Sequence, residues 1–240
     1  MQKVWIFGDS YANDTYDKPY AWTKRVAKKY NTVNYAISGS GPEYMIGIFQ
    51  EELLKTDIDE LKKINLIFVL SNDARKNFSF TIRPEDQAVM LDMIRHKGRD
   101  KDVYIRKRAS LYINDIKFIR NFYKKYYLHN DLGDFRQLQY VGILKEFSQF
   151  FNKVLVISVF DDYRDSLLYK KFDTTITDTE NFTFCKGPSL YSVEKDINKP
   201  LPNHLSSTNH DLLYNEIENW LENNIPPNIN NLQKIAWQDK

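Results

Sequence analysis

The chain has 240 residues, 42% hydrophobic and 28% charged, an ordinary globular composition and enough length for one domain with a real core, or a compact domain with a large insertion. A net charge of +2 is too near neutral to point to a nucleic-acid partner. The single cysteine, Cys185, excludes an internal disulfide, and its plain reading is a small buried hydrophobe. No Cys/His cluster has zinc spacing, so no metal and no other cofactor is expected, and no apolar run approaches the about 20 residues that span a bilayer.

Val4 to Phe7 is a short apolar run that stops at Gly8-Asp9-Ser10, which predicts a strand followed by a loop. It leads straight from Met1 and does not have the form of a signal peptide, so the expected location is cytoplasmic or on a virion. From Ala21 to Tyr30, Trp22, Val26 and Tyr30 recur at helical spacing with Lys and Arg opposite, an amphipathic helix. Thr32 to Ile37 predicts a second strand running into Ser38-Gly39-Ser40-Gly41-Pro42, where proline suits a helix start, and Glu43 to Leu54 follows as helix. Leu66 to Leu70 is fully apolar, as in a buried parallel strand, and ends at Ser71-Asn72-Asp73.

The pattern changes between about 75 and 151, a mainly helical insertion. Ile113, Ile116, Ile119, Phe122 and Tyr126 keep helical spacing there, and a helix is expected from about Phe135 to Phe151. Val154 to Phe160 predicts a further strand. An irregular stretch follows, then Asn203-His204 and a last helix from about Ser206 to Leu221. Residues 223–240, with Pro226-Pro227 and several Asn, predict an extended tail. Strand–helix alternation implies parallel pairing through right-handed crossovers, which brings Ser10, Gly39 and Asn72 to the carboxyl edge of one sheet.

Those residues suit acyl chemistry. A serine hydroxyl needs a base to become a nucleophile, and the developing oxyanion needs fixed donors. Ser10 offers the hydroxyl and His204 the base. The backbone N–H groups of Ser10 and Gly39 and the Asn72 side-chain amide offer the oxyanion hole, glycine letting the backbone come close and Asn donating without charge. Gly41 is the rival oxyanion glycine, and the plain alternative for Asn72 is a helix cap.

Phe7-Gly8-Asp9-Ser10 resembles the first block of the SGNH (GDSL-type) hydrolases. Asn34-Tyr35-Ala36-Ile37-Ser38-Gly39 resembles the second, Leu70-Ser71-Asn72-Asp73 the third, and His204 with its following helix the last. The resemblance covers residues 1–73 and about 200–222. It implies a single domain over 1–222 with a three-layer α/β/α, flavodoxin-like parallel sheet, and ester hydrolysis on small acyl, lipid or acetylated-sugar esters. An O-acetylated carbohydrate is favoured because aromatic and basic residues crowd the insertion. The chain departs from the pattern where the family carries Asp three residues before the histidine; here Leu201 stands. A Ser-His dyad held by a backbone carbonyl, or help from Asn203 or Asp196, is then implied. That departure also supports the alternative of a catalytically weak or inactive binding or structural protein on the same scaffold, such as a glycan-binding phage component. The short, motif-dense chain resembles phage-carried members of the class.

No Gly-x-Ser-x-Gly elbow occurs, which argues against the ordinary α/β-hydrolase fold. His210, His96 and His129 read as surface histidines, and the Asp161-Asp162 pair as the start of a loop. Ser38-Gly39-Ser40-Gly41 matches no nucleotide-binding fingerprint. Arg95 to Arg108 holds seven Lys/Arg and reads as a solvated basic loop.

Overall fold

A computed structural model of the chain describes residues 1–13, 21–38, 40–70, 131–158, 179–186, 205 and 207–229. Five strands form one sheet: β1 (Lys3–Phe7), β2 (Asn31–Asn34), β3 (Ile64–Leu70), β4 (Lys153–Ser158) and β5 (Phe182–Lys186), in the order β2-β1-β3-β4-β5. Every pairing is parallel. The flanking helices are α1 (Trp22–Lys29), α2 (Pro42–Lys55), the short α3 (Ile58–Leu61), α4 (Asp131–Phe147), which runs into a 3-10 turn at Ser148–Phe150, and α5 (Ser207–Asn223).

The central strands are apolar because both faces are covered. All seven residues of β3 and all six of β4 are buried. One face carries α1 and α5: Val4, Ile6, Ile67, Val69, Leu155 and Ile157 pack against Trp22, Val26, Leu213, Ile217 and Trp220. The other carries α2 and α4: Trp5, Phe7, Leu66, Phe68, Val154 and Val156 pack against Met45, Phe49, Val141 and Leu144. Alternate residues of each strand therefore serve opposite layers. This is a three-layer α/β/α sandwich with flavodoxin-like strand order. The second face is rich in rings, with Phe7 stacked between Phe68 at 5.7 Å and Tyr35 at 4.7 Å.

Local chemistry explains the element ends. Trp22 and Val26 sit one helical turn apart on the buried face of α1. Pro42 occupies the first turn of α2 behind Gly41. At the end of α5, Asn224 takes a left-handed conformation, φ 55°, and stops the helix.

Three sequence expectations need correction. The stretch after β4 is not wholly irregular: Phe182–Lys186 pairs with β4 as an edge strand in which Phe182, Thr183 and Cys185 are buried. His210 is not on the helix surface; it is 1% exposed. The second strand is also shorter than expected, Asn31–Asn34, although its ladder continues through Tyr35 N–H to Ile6 O (2.8 Å) and Ile37 N–H to Gly8 O (3.0 Å). Residues 224–229 follow no regular element, yet Pro227 and Ile229 are buried, Ile229 in the α1/α5 core. The apolar stripe from Ile113, the basic run Arg95 to Arg108, His96, His129 and the Asp161-Asp162 pair lie outside the described residues. Among the described residues, no helix is long and apolar enough to cross a membrane.

Candidate active site

In a 2-1-3-4-5 sheet the chain leaves β1 in one direction and returns on its other side, so the crevice beyond the carboxyl end of β1 is the topological switch point. Ser10 stands there, three residues past the end of the strand, and is 7% exposed.

Gly8 makes the exit from β1 possible. Its φ is +156°, and a Cβ at this position would lie 2.8 Å from the Val69 Cβ and 3.0 Å from the Ala12 Cβ. Beyond it the chain winds into one tight turn: Ala12 N–H and Asn13 N–H both donate to Asp9 O, at 3.0 and 2.9 Å. The Asp9 carboxylate, fully buried, accepts the Tyr11 N–H at 3.0 Å, an Asx turn that closes around Ser10 from both sides.

The loop after β2 is stitched to this turn. Gly8 O accepts Ile37 N–H and, at 3.2 Å, the Ser40 hydroxyl, whose residue is completely buried. Asn13 Nδ2 donates to Ala36 O (2.7 Å), and Asn34 Nδ2 donates to Ala12 O (2.9 Å) while its Oδ1 accepts Ala36 N–H (3.0 Å). Four residues, Asp9 and Asn34 from the motif blocks and Asn13 and Ser40 outside them, thus build the ground around Ser10. The buried Ser38 hydroxyl has no hydrogen-bond partner among the described residues. In the α2/α4 layer, on the other face of the sheet from Tyr11, the Tyr35 phenol is pushed up to about 12 by burial and by its bond to Glu52. It stays protonated at neutral pH and does not qualify as a general base.

A third segment reaches the same place from α5. Trp22 Nε1 donates to Tyr11 O at 2.8 Å, and Trp22 N–H donates to His210 Nδ1 at 3.3 Å. Leu205 is buried in the core cluster that also holds Tyr11, Ala12 and Trp22.

Of the residues read from the sequence, Ser10 is seated in this turn. Gly39, Asn72 and His204 lie outside the described residues, as do Leu201, Asn203 and Asp196. Their described neighbours are Ser38 and Ser40 in the loop stitched to Gly8, Leu70 at the end of β3, and Leu205. Gly41, the rival oxyanion glycine, precedes the first turn of α2. The histidine that sequence reasoning set aside, His210, proves to be bonded to the first residue of α1. Only pairing over 188 positions of separation could have revealed it. Among the described residues, no group of three or more His, Cys, Asp or Glu side chains is placed to hold a metal ion.

The fold and this turn define an α/β sandwich with a serine at the switch point of a parallel sheet. Comparison with solved structures adds a likeness. The chain is similar to the crystal structure of a member of the lipolytic protein G-D-S-L family from Veillonella parvula DSM 2008, at 11% identity and a TM-score of 0.36, over 73% of this chain and 70% of that one. No protein-family model and no curated protein matches the sequence.

Proposed function

We propose that the protein is a serine ester hydrolase acting on a carboxylic ester. The observation that carries this is the position of Ser10, in a rigid hydrogen-bonded turn just beyond β1 at the switch point of the sheet. Ser10 Oγ attacks the acyl carbon while His204 removes its proton and delivers it to the leaving alcohol. The ester C–O bond breaks, an acyl-enzyme forms, and water activated by His204 hydrolyses it. The Ser10 and Gly39 backbone N–H groups and the Asn72 amide hold the oxyanion. The burial of Leu205, the chain neighbour of His204, in one cluster with Tyr11, the chain neighbour of Ser10, supports pairing of the two residues. O-acetyl groups of a carbohydrate are the favoured substrate.

A second reading, a binding protein on this scaffold, is favoured by Leu201 in place of the acid that usually orients the histidine. Hydrolysis of p-nitrophenyl acetate and labelling by a fluorophosphonate separate the two. The hydrolase reading expects turnover and labelling that fall at least about a thousandfold in both Ser10→Ala and His204→Ala. Background signal in folded wild type and variants alike gives the binding protein.

A further inference from the structure

We propose that His210 is a positioning residue for the Ser10 turn. This inference rests on the ester-hydrolase reading and deepens it.

A helix leaves its first N–H groups without intrahelical acceptors. In α1 the residue before the helix is Ala21, whose side chain cannot cap, and Trp22 is the first residue within it. The Trp22 N–H is instead taken by an imidazole on another helix, His210 Nδ1, at 3.3 Å and fully inside the protein. An acceptor nitrogen must carry its lone pair, so the neutral ring holds its proton on Nε2. The indole of the same Trp22 donates to Tyr11 O, and Tyr11 N–H donates to the Asp9 carboxylate.

The result is a continuous chain of hydrogen bonds: His210, Trp22, Tyr11, Asp9. It starts on the first turns of α5 and ends on both flanks of Ser10. Trp22 is 0% exposed and Tyr11 2%, so the links lie where water does not compete and an unmade bond is costly. Two segments distant in sequence are thereby held in register: the turn bearing Ser10, and the start of α5 with Leu205, which leads in from His204. Acyl transfer depends on that register, because displacing a reacting group by about 1 Å can lower the rate about a hundredfold. His210 acts through Trp22 and Tyr11 and touches no reacting atom.

The test compares His210→Leu, which removes the acceptor, with His210→Asn, whose Oδ1 lies close to the place of Nδ1. Trp22→Phe is a second break that removes the indole donor, and part of the ring volume with it, but keeps the main-chain N–H bonded to His210. Each full-length variant is measured for p-nitrophenyl acetate kcat and KM, and for amide exchange over residues 8–13. We expect His210→Leu and Trp22→Phe to lower kcat about a hundredfold with little change in KM and to speed exchange at Tyr11. His210→Asn should retain wild-type values in both. Wild-type kcat and exchange in His210→Leu and Trp22→Phe, or an Asn variant as impaired as the Leu variant, overturns the proposal. If wild type shows no Ser10-dependent turnover, the ester reading fails by itself, and the exchange pattern still decides whether His210 holds the turn.

Discussion

The two edges of the sheet treat buried polar groups in opposite ways. At the amino edge they close on one another. Asn65, completely buried, accepts from Asn152 Nδ2 at 2.7 Å and donates to Gln2 Oε1 at 3.3 Å. Lys153, the first residue of β4, turns its ammonium onto the end of α5, donating to Trp220 O (2.6 Å), Leu221 O (2.8 Å) and Asn224 Oδ1 (2.7 Å). It answers the last carbonyls and negative end of that helix with a charge. At the carboxyl edge the bonds are spent on shaping backbone around one serine, and the buried hydroxyls of Ser38 and Thr23 have no partner among the described residues. One edge holds the sandwich together; the other holds a single serine-bearing turn in place.

That contrast can be broken at its strongest point through Gly8, where β1 passes into the turn that carries Ser10. Gly8→Val forces carbon against Val69 and Ala12, and we expect it to cost about 3 kcal/mol in urea unfolding and to depress ester turnover beyond what the unfolded fraction explains. Unaltered turnover would separate the turn from the reaction. Lys153→Met tests the amino edge alone. It should cost about 2 kcal/mol by taking the ammonium away from Leu221 O, Asn224 Oδ1 and Trp220 O, of which the last keeps the Asn224 N–H, with ester turnover by the folded protein unchanged. Burial holds the Lys153 ammonium below its ordinary value of 10.5. Between the two values the unfolded chain binds the extra proton, so this residue makes stability rise with pH there, and the methionine variant should lack that rise.

The smallest effect belongs to the exposed Arg25–Asp211 pair, at 2.5 Å beside the His210 link. Asp211→Asn should cost about 0.5 kcal/mol or less. A loss of turnover matching that of His210→Leu would mean that charge, rather than the imidazole bond, joins α1 to α5.

Much of the architecture was legible because the apolar runs end on punctuating residues. Phe7 stops at Gly8, Leu70 at Ser71-Asn72, and Pro42 opens α2, so three parallel strands and the seat of Ser10 follow from local pattern. The fifth strand was hidden because Phe182–Lys186 alternates Phe with Thr and Cys over only five residues and lies at the sheet edge, where no fully apolar run is required. His210 was hidden for a different reason. The segment Ser207-Thr208-Asn209-His210-Asp211 is polar throughout and reads as a solvated first turn of the last helix, yet Asn209 and His210 are both 1% exposed. A polar residue enters a core when a distant donor needs it, and here that donor is a main-chain N–H on α1. Likewise, Asn13 carries no motif and Asn34 has no role assigned within its block; both depend on carbonyls that only the folded loops bring near.

The chain's lone thiol gives the molecule a built-in timer. Cys185 is 6% exposed at the strand edge, its sulfur 3.5 Å from Pro227 O and in one cluster with Ile229. A thiol reagent reaches it only when its buried surroundings open, so its modification rate in native buffer counts openings at this edge of the sheet.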